Sequence, residues 1–290
     1  MSFDITTSFV KQYGSNVQLL SQQKGSILQK NNAVRVETGV GEHWFFDQIG
    51  ATSARRVTTR HADSPLISTP HSRRRVTPYD YDWGDLVDQL DKVKTLNDPT
   101  NEYAINAAHA MGRAKDDLLI EAFFADASTG QDGGTTTSYD TGNDVVHDSS
   151  GMSVAKLLSA KEVLDGGDVD PDIPRFILVS PTEITDLLNT TEVASSDYNT
   201  VKALAKGEIS DFCGFHFLVS NRLEESSDGN ERYCPVWAQD GMLLAVAQDY
   251  TARIEERSDK RFSTYVYFSM SIGATRMEEA KVARIKTWIG

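Results

Sequence analysis

The chain has 290 residues, with 42 acidic against 29 basic side chains and a formal charge of −13; a general nucleic-acid binder leans basic, so this balance argues against one. Hydrophobic residues make up 39% and charged residues 24%, the composition of a folded chain and not of a disordered one. No apolar run approaches the roughly 18 residues of a membrane helix, and Met1 to Lys11 lacks the basic start and apolar stretch of a secretory signal, so the expectation is a protein made and kept in a cytoplasm.

Residues 1–32 are polar and rich in Gln and Ser, with Phe9, Val10 and Leu19-Leu20 as scattered anchors. This reads as a partly helical arm that needs a partner surface to become ordered. Residues 33–78 change character. Val34, Val36, Trp44, Phe45 and Phe46 are good strand formers, and Ile67 and Val76 mark a returning strand. Pro65 and Pro70 between them fit an irregular tip. The segment is too poor in apolar residues to be a core and reads as a long two-stranded excursion.

Charge sets this excursion apart. From Gln48 to Pro78 there are six arginines, Arg55, Arg56, Arg60, Arg73, Arg74 and Arg75, against Asp63 alone and no lysine. The finger is formally +5, which leaves −18 for the rest of the chain. A finger that cannot bury its own faces, opposite in charge to the body, points to docking on a neighbouring copy. Phosphate binding by Arg73-Arg74-Arg75 is the weaker reading, because the acidic body opposes it.

Asp98-Pro99 predicts a helix start, with Asp98 as cap and Pro99 in the first turn. Tyr103, Ala107, Met111, Ala114, Leu118 and Phe123 then recur at helical spacing, with Asp116 and Asp117 assigned to the outer face. A helix over 99–126 would be about 42 Å long and suit a structural spine. Residues 127–151 are loop-like, with a short strand near Val145-Val146.

An alternating α/β block follows. It comprises a helix over Ser153 to Leu164, a buried strand over Arg175 to Val179, a short helix from Pro181 and a further helix over Thr200 to Ala205. Strands are expected over Phe212 to Val219 and Met242 to Ala247. At the C-terminal end Val266, Phe268, Met270 and Ile272 share one face, and Val282 to Ile289 makes a last strand. These strands are expected to pair only with each other and to pack on the long helix. The resulting organisation is α+β: an arm (1–32), an extended loop (33–78), a discontinuous domain with the spine helix (79–150 and 250–290) and a compact domain (151–249).

Chemical motifs are absent from this reading. Serine elbows, phosphate loops and paired-cysteine motifs do not occur, and Cys213 and Cys234 are isolated small apolar side chains. Asp168, Asp170 and Asp172 have alternating calcium-loop spacing, but the twelfth position falls on Val179 and prolines intrude, so a helix-to-strand turn is expected. His43, His61, His71, His109, His147 and His216 show no metal-ligand spacing. Gly39-Val40-Gly41 reads as a turn or bulge, and Glu278, Glu279 and Lys281 as a solvated turn. No catalytic residue, cofactor or metal is assigned.

Several stretches, taken together, resemble tailed-phage major capsid proteins with the Hong Kong 97 fold. They are His61-Ala62-Asp63-Ser64-Pro65, Arg73-Arg74-Arg75-Val76-Thr77-Pro78-Tyr79-Asp80-Tyr81-Asp82-Trp83, Asp98-Pro99, Ala110-Met111-Gly112-Arg113-Ala114-Lys115-Asp116-Asp117, and Ser271-Ile272-Gly273-Ala274-Thr275-Arg276. The resemblance covers nearly the whole chain in the order arm, extended loop, spine helix, axial domain and return strands. It implies pentamers and hexamers that close an icosahedral shell around double-stranded DNA, with the extended loop reaching over an adjacent subunit. It also implies a portal protein as partner, and leaves a decoration or cement protein as an option. The expected place is the virion, after assembly in the host bacterial cytoplasm, with no membrane contact. The chain departs from some relatives in its short arm, so a separate scaffolding protein is expected. No lysine occurs between Lys30 and Lys92, so no lysine–asparagine crosslink is expected from this loop. Two alternatives remain at this stage. An encapsulin-type compartment shell shares the fold, and a cytosolic α/β enzyme would form a small oligomer instead of a closed particle.

Overall fold

The computed structural model describes residues 21–60, 63–64, 66–88, 100–146, 148–189 and 211–289. The expected cap at Asp98-Pro99 and the helix at Thr200 to Ala205 lie outside these residues, as do His61, Ala62, Pro65 and His147.

The frame is the spine helix α2 (Thr100–Phe124), 25 residues long and so about 37 Å from end to end. Its buried stripe runs Ala107, Met111, Leu119, Ile120 and Phe123, close to the predicted period. One part of that prediction is corrected. Asp116 does not face outward; it is buried at 1% exposure. The reason lies in the arm, whose short helix α1 (Ile27–Lys30) crosses the spine there. Asp116 accepts hydrogen bonds from Gln23 Nε2 (2.5 Å), Ser26 Oγ (2.5 Å), the Ile27 backbone N–H (2.8 Å) and the Leu28 N–H (3.3 Å). A buried carboxylate is tolerated because these donors replace its water. Gly112 allows the close approach: a Cβ there would lie 2.4 Å from the Gly25 Cα. The arm's described part thus finds its ordering surface within its own chain.

Three sheets surround the spine. The first has the order β1 (Arg35–Thr38), β12 (Met242–Arg257), β13 (Ser263–Arg276), β4 (Tyr79–Val87). Alternation along β13 buries Val266, Phe268, Met270 and Ile272, and this face packs on α2, as the two-residue period predicts. The second sheet has the order β7 (Asp144–Val145), β14 (Val282–Trp288), β11 (Glu231–Ala238), β8 (Arg175–Val179), β10 (Phe215–Val219), β9 (Asp211–Phe212). Helices α3 (Val154–Gly166) and α4 (Pro181–Asn189) pack against it. Asp168, with φ +55°, and Asp170 form the expected helix-to-strand turn, the Ile173 N–H donating to the Asp170 carbonyl.

Two expectations about pairing are corrected. The C-terminal strands do not pair only with one another: β13 also takes β4, and β14 lies between β11 and β7. Strand β1, at the start of the excursion, is not one of its two paired strands; it runs parallel to β12 in the first sheet. Strand β11 escaped the sequence reading because Pro235 sits in its middle. Its pairing with β8 covers only Val236 to Ala238, so Pro235, which has no N–H, is not asked to donate to that neighbour. Trp237 beside it is fully buried. It lies 4.6 Å from Phe123 and 5.9 Å from Phe176 by ring centroids, and donates its indole N–H to the Ala33 carbonyl at 2.6 Å. The residue that follows the arm, the spine and the second sheet meet at this one side chain.

Candidate assembly surface

The third sheet is the base of the excursion, in the order β2 (Trp44–Ile49), β3 (His71–Val76), β5 (Ala127–Thr129), β6 (Thr135–Thr137). It divides the six arginines into two groups. Arg73, Arg74 and Arg75 lie on β3, and their exposure alternates because a strand's side chains alternate between faces. Arg73 forks onto Asp47 at 2.5 Å and 3.2 Å and lies over the Phe45 ring at 5.5 Å. The Asp47 carboxyl is held below its ordinary value, chiefly by the Arg73 hydrogen bond. Arg75 donates to the Asp132 carbonyl at 3.3 Å. Its stem lies where a Cβ on Gly133 would stand, 2.4 Å from the Arg75 Cδ. Arg74 is only 6% exposed.

Arg55, Arg56 and Arg60 form the other group. They lie beyond the last pair of the hairpin, Ile49 with His71, on a tip that is exposed throughout its described residues. They make no ion pair with any described residue. Val57 and Leu66 on the same tip are exposed at 82% and 102%. A projecting segment that carries exposed guanidinium groups and bare apolar side chains has the chemistry of a contact surface.

The body grips the base of this loop at two points. Trp44 and Val76 bury themselves with Leu243, Ala245 and Met277. Beside them Arg74 Nε donates to the Met277 carbonyl at 2.9 Å, and Arg74 Nη2 reaches Glu279 at 2.5 Å. Glu279 also accepts from Arg276 Nε at 3.4 Å. Arg276 is wholly buried and closes the C-terminal end of the spine helix, donating to the carbonyls of Phe123 (2.7 Å), Ala125 (3.0 Å) and Thr137 (3.3 Å). A cation fits this position because the last helical carbonyls lack intrahelical donors and carry partial negative charge. Burial pushes the Arg276 guanidinium below its ordinary value, and Glu279 opposes that shift. The reading of Glu278, Glu279 and Lys281 as a solvated turn holds for Glu278, which is exposed, and is corrected for the other two: Glu279 is half-buried between two arginines, and Lys281 reaches Asp240 at 2.7 Å and Glu278 at 3.1 Å. Sequence reasoning missed Glu279 and Arg276 because their partners lie some 150 to 200 residues away, and no local motif marks them.

Among the described residues no group of three His, Cys, Asp or Glu could hold a metal ion. Cys234 is buried, which pushes its thiol up and suppresses the nucleophilic thiolate.

The sequence model of one family, described as phage capsid protein, matches residues 5–288. The chain belongs to that family. Solved structures agree on the fold. The capsid of cyanophage P-SCSP1u superposes with a TM-score of 0.78 at 16% identity, covering 99% of this chain and 95% of its own. The capsid of Ralstonia phage GP4 gives 0.77 at 11% identity, covering 98% and 96%. The capsid of cyanophage Pam1 gives 0.75 at 14% identity, covering 98% and 97%. No curated protein matches in sequence. The α+β architecture of this capsid protein is thus the Hong Kong 97-like fold expected from the residue stretches, and the family is one of structural proteins.

Proposed function

We propose that this chain is the major capsid protein of a tailed phage. It self-assembles into pentamers and hexamers of an icosahedral head that encloses double-stranded DNA, and it catalyses no reaction. One observation carries the reading beyond family membership: the tip with Arg55, Arg56 and Arg60 projects, with no ion pair to any described residue, from a body of opposite charge. A second copy supplies the missing acidic surface, and the contact repeats around each capsomer. Individual exposed ion pairs contribute only about 0–1 kcal/mol, so cohesion comes from repetition. Arg73, Arg74 and Arg75 take the supporting role of fixing the loop's base.

In this proposal residues 1–32 are the arm and 33–78 the extended loop. Residues 79–150 and 250–290 form the peripheral domain, and 151–249 the axial domain. A separate scaffolding protein and a portal protein act as assembly partners, with the host cytoplasm as the place of assembly and the virion as the destination. DNA is enclosed without sequence-specific contacts.

The test is electron microscopy of the full chain, expressed alone and with candidate scaffolding proteins, followed by analysis of particle contents. Closed shells enclosing nuclease-protected DNA during phage growth are expected. Shells loaded with an enzyme would establish the compartment alternative, and a small oligomer that never closes would overturn the proposal.

A further inference from the structure

The extended loop meets the body through the edge pairing of β3 with β5 and along one face of β3 and its partner β2. Val76 and Trp44 form the apolar anchor, and Arg74, two residues up the same face, forms the polar one. Gln48 adds a hydrogen bond to the Met277 carbonyl at 2.7 Å. Past Gln48 and Ser72 the hairpin continues without a hydrogen bond to the body among the described residues. Two adjacent anchors on a stiff ribbon define a direction: the apolar one acts as fulcrum, and the polar one fixes the tilt about it.

The polar anchor has an unusual composition. One carboxylate, Glu279, faces two buried guanidinium groups, Arg74 and Arg276. Without that carboxylate the two buried cations would repel each other, with backbone carbonyls as their remaining partners. The same carboxylate therefore joins the loop's base to the C-terminal end of the spine helix. An open cleft of about 490 Å³ lies beside it, lined by Phe46, Gln48, Arg74, Met277 and Glu279 among others, so the ribbon has room to tilt.

We propose that Glu279 is the positioning residue that sets the angle at which the extended loop leaves the body, and so fixes the curvature of the assembled shell. It acts through Arg74, while Arg276 refers that angle to the axis of the spine. This inference rests on the shell-building reading above.

The experiment compares Glu279→Gln with the unaltered chain by electron microscopy of assembled particles and by thermal unfolding of the subunits. Glutamine keeps the size and one acceptor but removes the charge between the arginines. The expected result is folded, assembly-competent subunits whose particles shift from one diameter to a mixture of diameters and open sheets, with a changed loop angle in reconstructions. Arg222→Gln, which removes the Asp117 partner on the spine far from the loop's base, controls for general loss of stability and should leave the diameter alone. The pair Glu279→Gln with Arg74→Gln replaces the ion pair by a neutral one and should restore a single diameter. If Glu279→Gln subunits do not fold, Arg74→Lys carries the test, since lysine keeps the charge but cannot bond Met277 and Glu279 together in the same fork. An unchanged diameter and loop angle in the informative variant overturns the inference. An unaltered chain that forms no shell overturns the shell-building reading instead.

Discussion

Replacing Asp116 by alanine should release the arm from the spine helix without unfolding the protein. Asp116 accepts four hydrogen bonds from Gln23, Ser26, Ile27 and Leu28. The two side-chain donors can turn to water, but the two backbone amides cannot move unless the arm moves. Leaving a buried donor unsatisfied costs about 1–3 kcal/mol, and a bond to a charged group is worth about 1.5–3 kcal/mol. A docked arm in the alanine variant would thus carry a penalty of roughly 3–5 kcal/mol. Undocking loses the burial of Leu28, which is 1% exposed and worth about 1.5–3 kcal/mol. It regains about 1–2 kcal/mol of backbone entropy for each residue freed. Release is the cheaper response. The assay is limited trypsinolysis read by mass spectrometry at Lys24 and Lys30, both exposed side chains on a docked backbone. A shift of about 2 kcal/mol in the opening equilibrium accelerates cleavage roughly 30-fold when opening is fast relative to cutting. Cleavage at the unaltered rate would refute the reasoning, because it would mean that the four hydrogen bonds do not hold the arm.

Arg276→Met removes the donors to two carbonyls at the end of the spine helix and to the Thr137 carbonyl on β6; a loss of about 3–5 kcal/mol is expected, seen as a fall in Tm of roughly 5–8 °C. Acid should weaken the second sheet. Burial pushes the Glu183 carboxyl up, but hydrogen bonds from Ser180 and the charge of Arg232 outweigh it and the net shift is downward; Asp144 is likewise lowered, with Arg284 and Lys286 overcoming its burial. Carboxyls lowered in the folded state contribute stability above their unfolded pKa of about 4 and lose it as pH falls through the folded values. The urea midpoint should therefore drop between pH 5 and pH 3, and Glu183→Gln should flatten that dependence. Replacing Arg55, Arg56 and Arg60 together by Glu should abolish particle formation in light scattering, while subunit stability stays within about 0.5 kcal/mol, as for other exposed sites. Denaturing gels of mature particles should show no covalent ladder joined through residues 33–78, a stretch without lysine.

What was legible in the sequence depended on how far apart the interacting residues lie. The spine helix and the buried face of β13 were readable because each carries its own period, 3.6 in one and 2 in the other. Strand β8, with all five residues buried, was readable from its unbroken apolar run. Strand β4 was missed: Tyr79 to Val87 carries three aspartates, and only its partner β13 makes it a strand. The charge separation was visible as a count, but the division of the arginines was not. Nothing local distinguishes Arg74 from Arg56; one meets Glu279 across 205 positions, and the other meets solvent. Asp116 misled for a similar reason. A charged residue on a helix is usually exposed, and the donors that make its burial tolerable come from some 90 positions upstream.

The contacts at the loop's base also impose an order in time. Arg74 is made early, but its carbonyl partner belongs to Met277, 203 positions later. The end of the spine helix waits as long, since Arg276 lies 153 positions beyond Phe123. Contacts of such separation form late, after their intervening chain has been closed into a loop. During translation the extended loop therefore has no fixed direction until Met277 and Glu279 have been made. A nascent subunit that lacks these residues has neither the polar anchor of its loop nor the closed end of its spine helix, so the topology of the fold makes both of them late events.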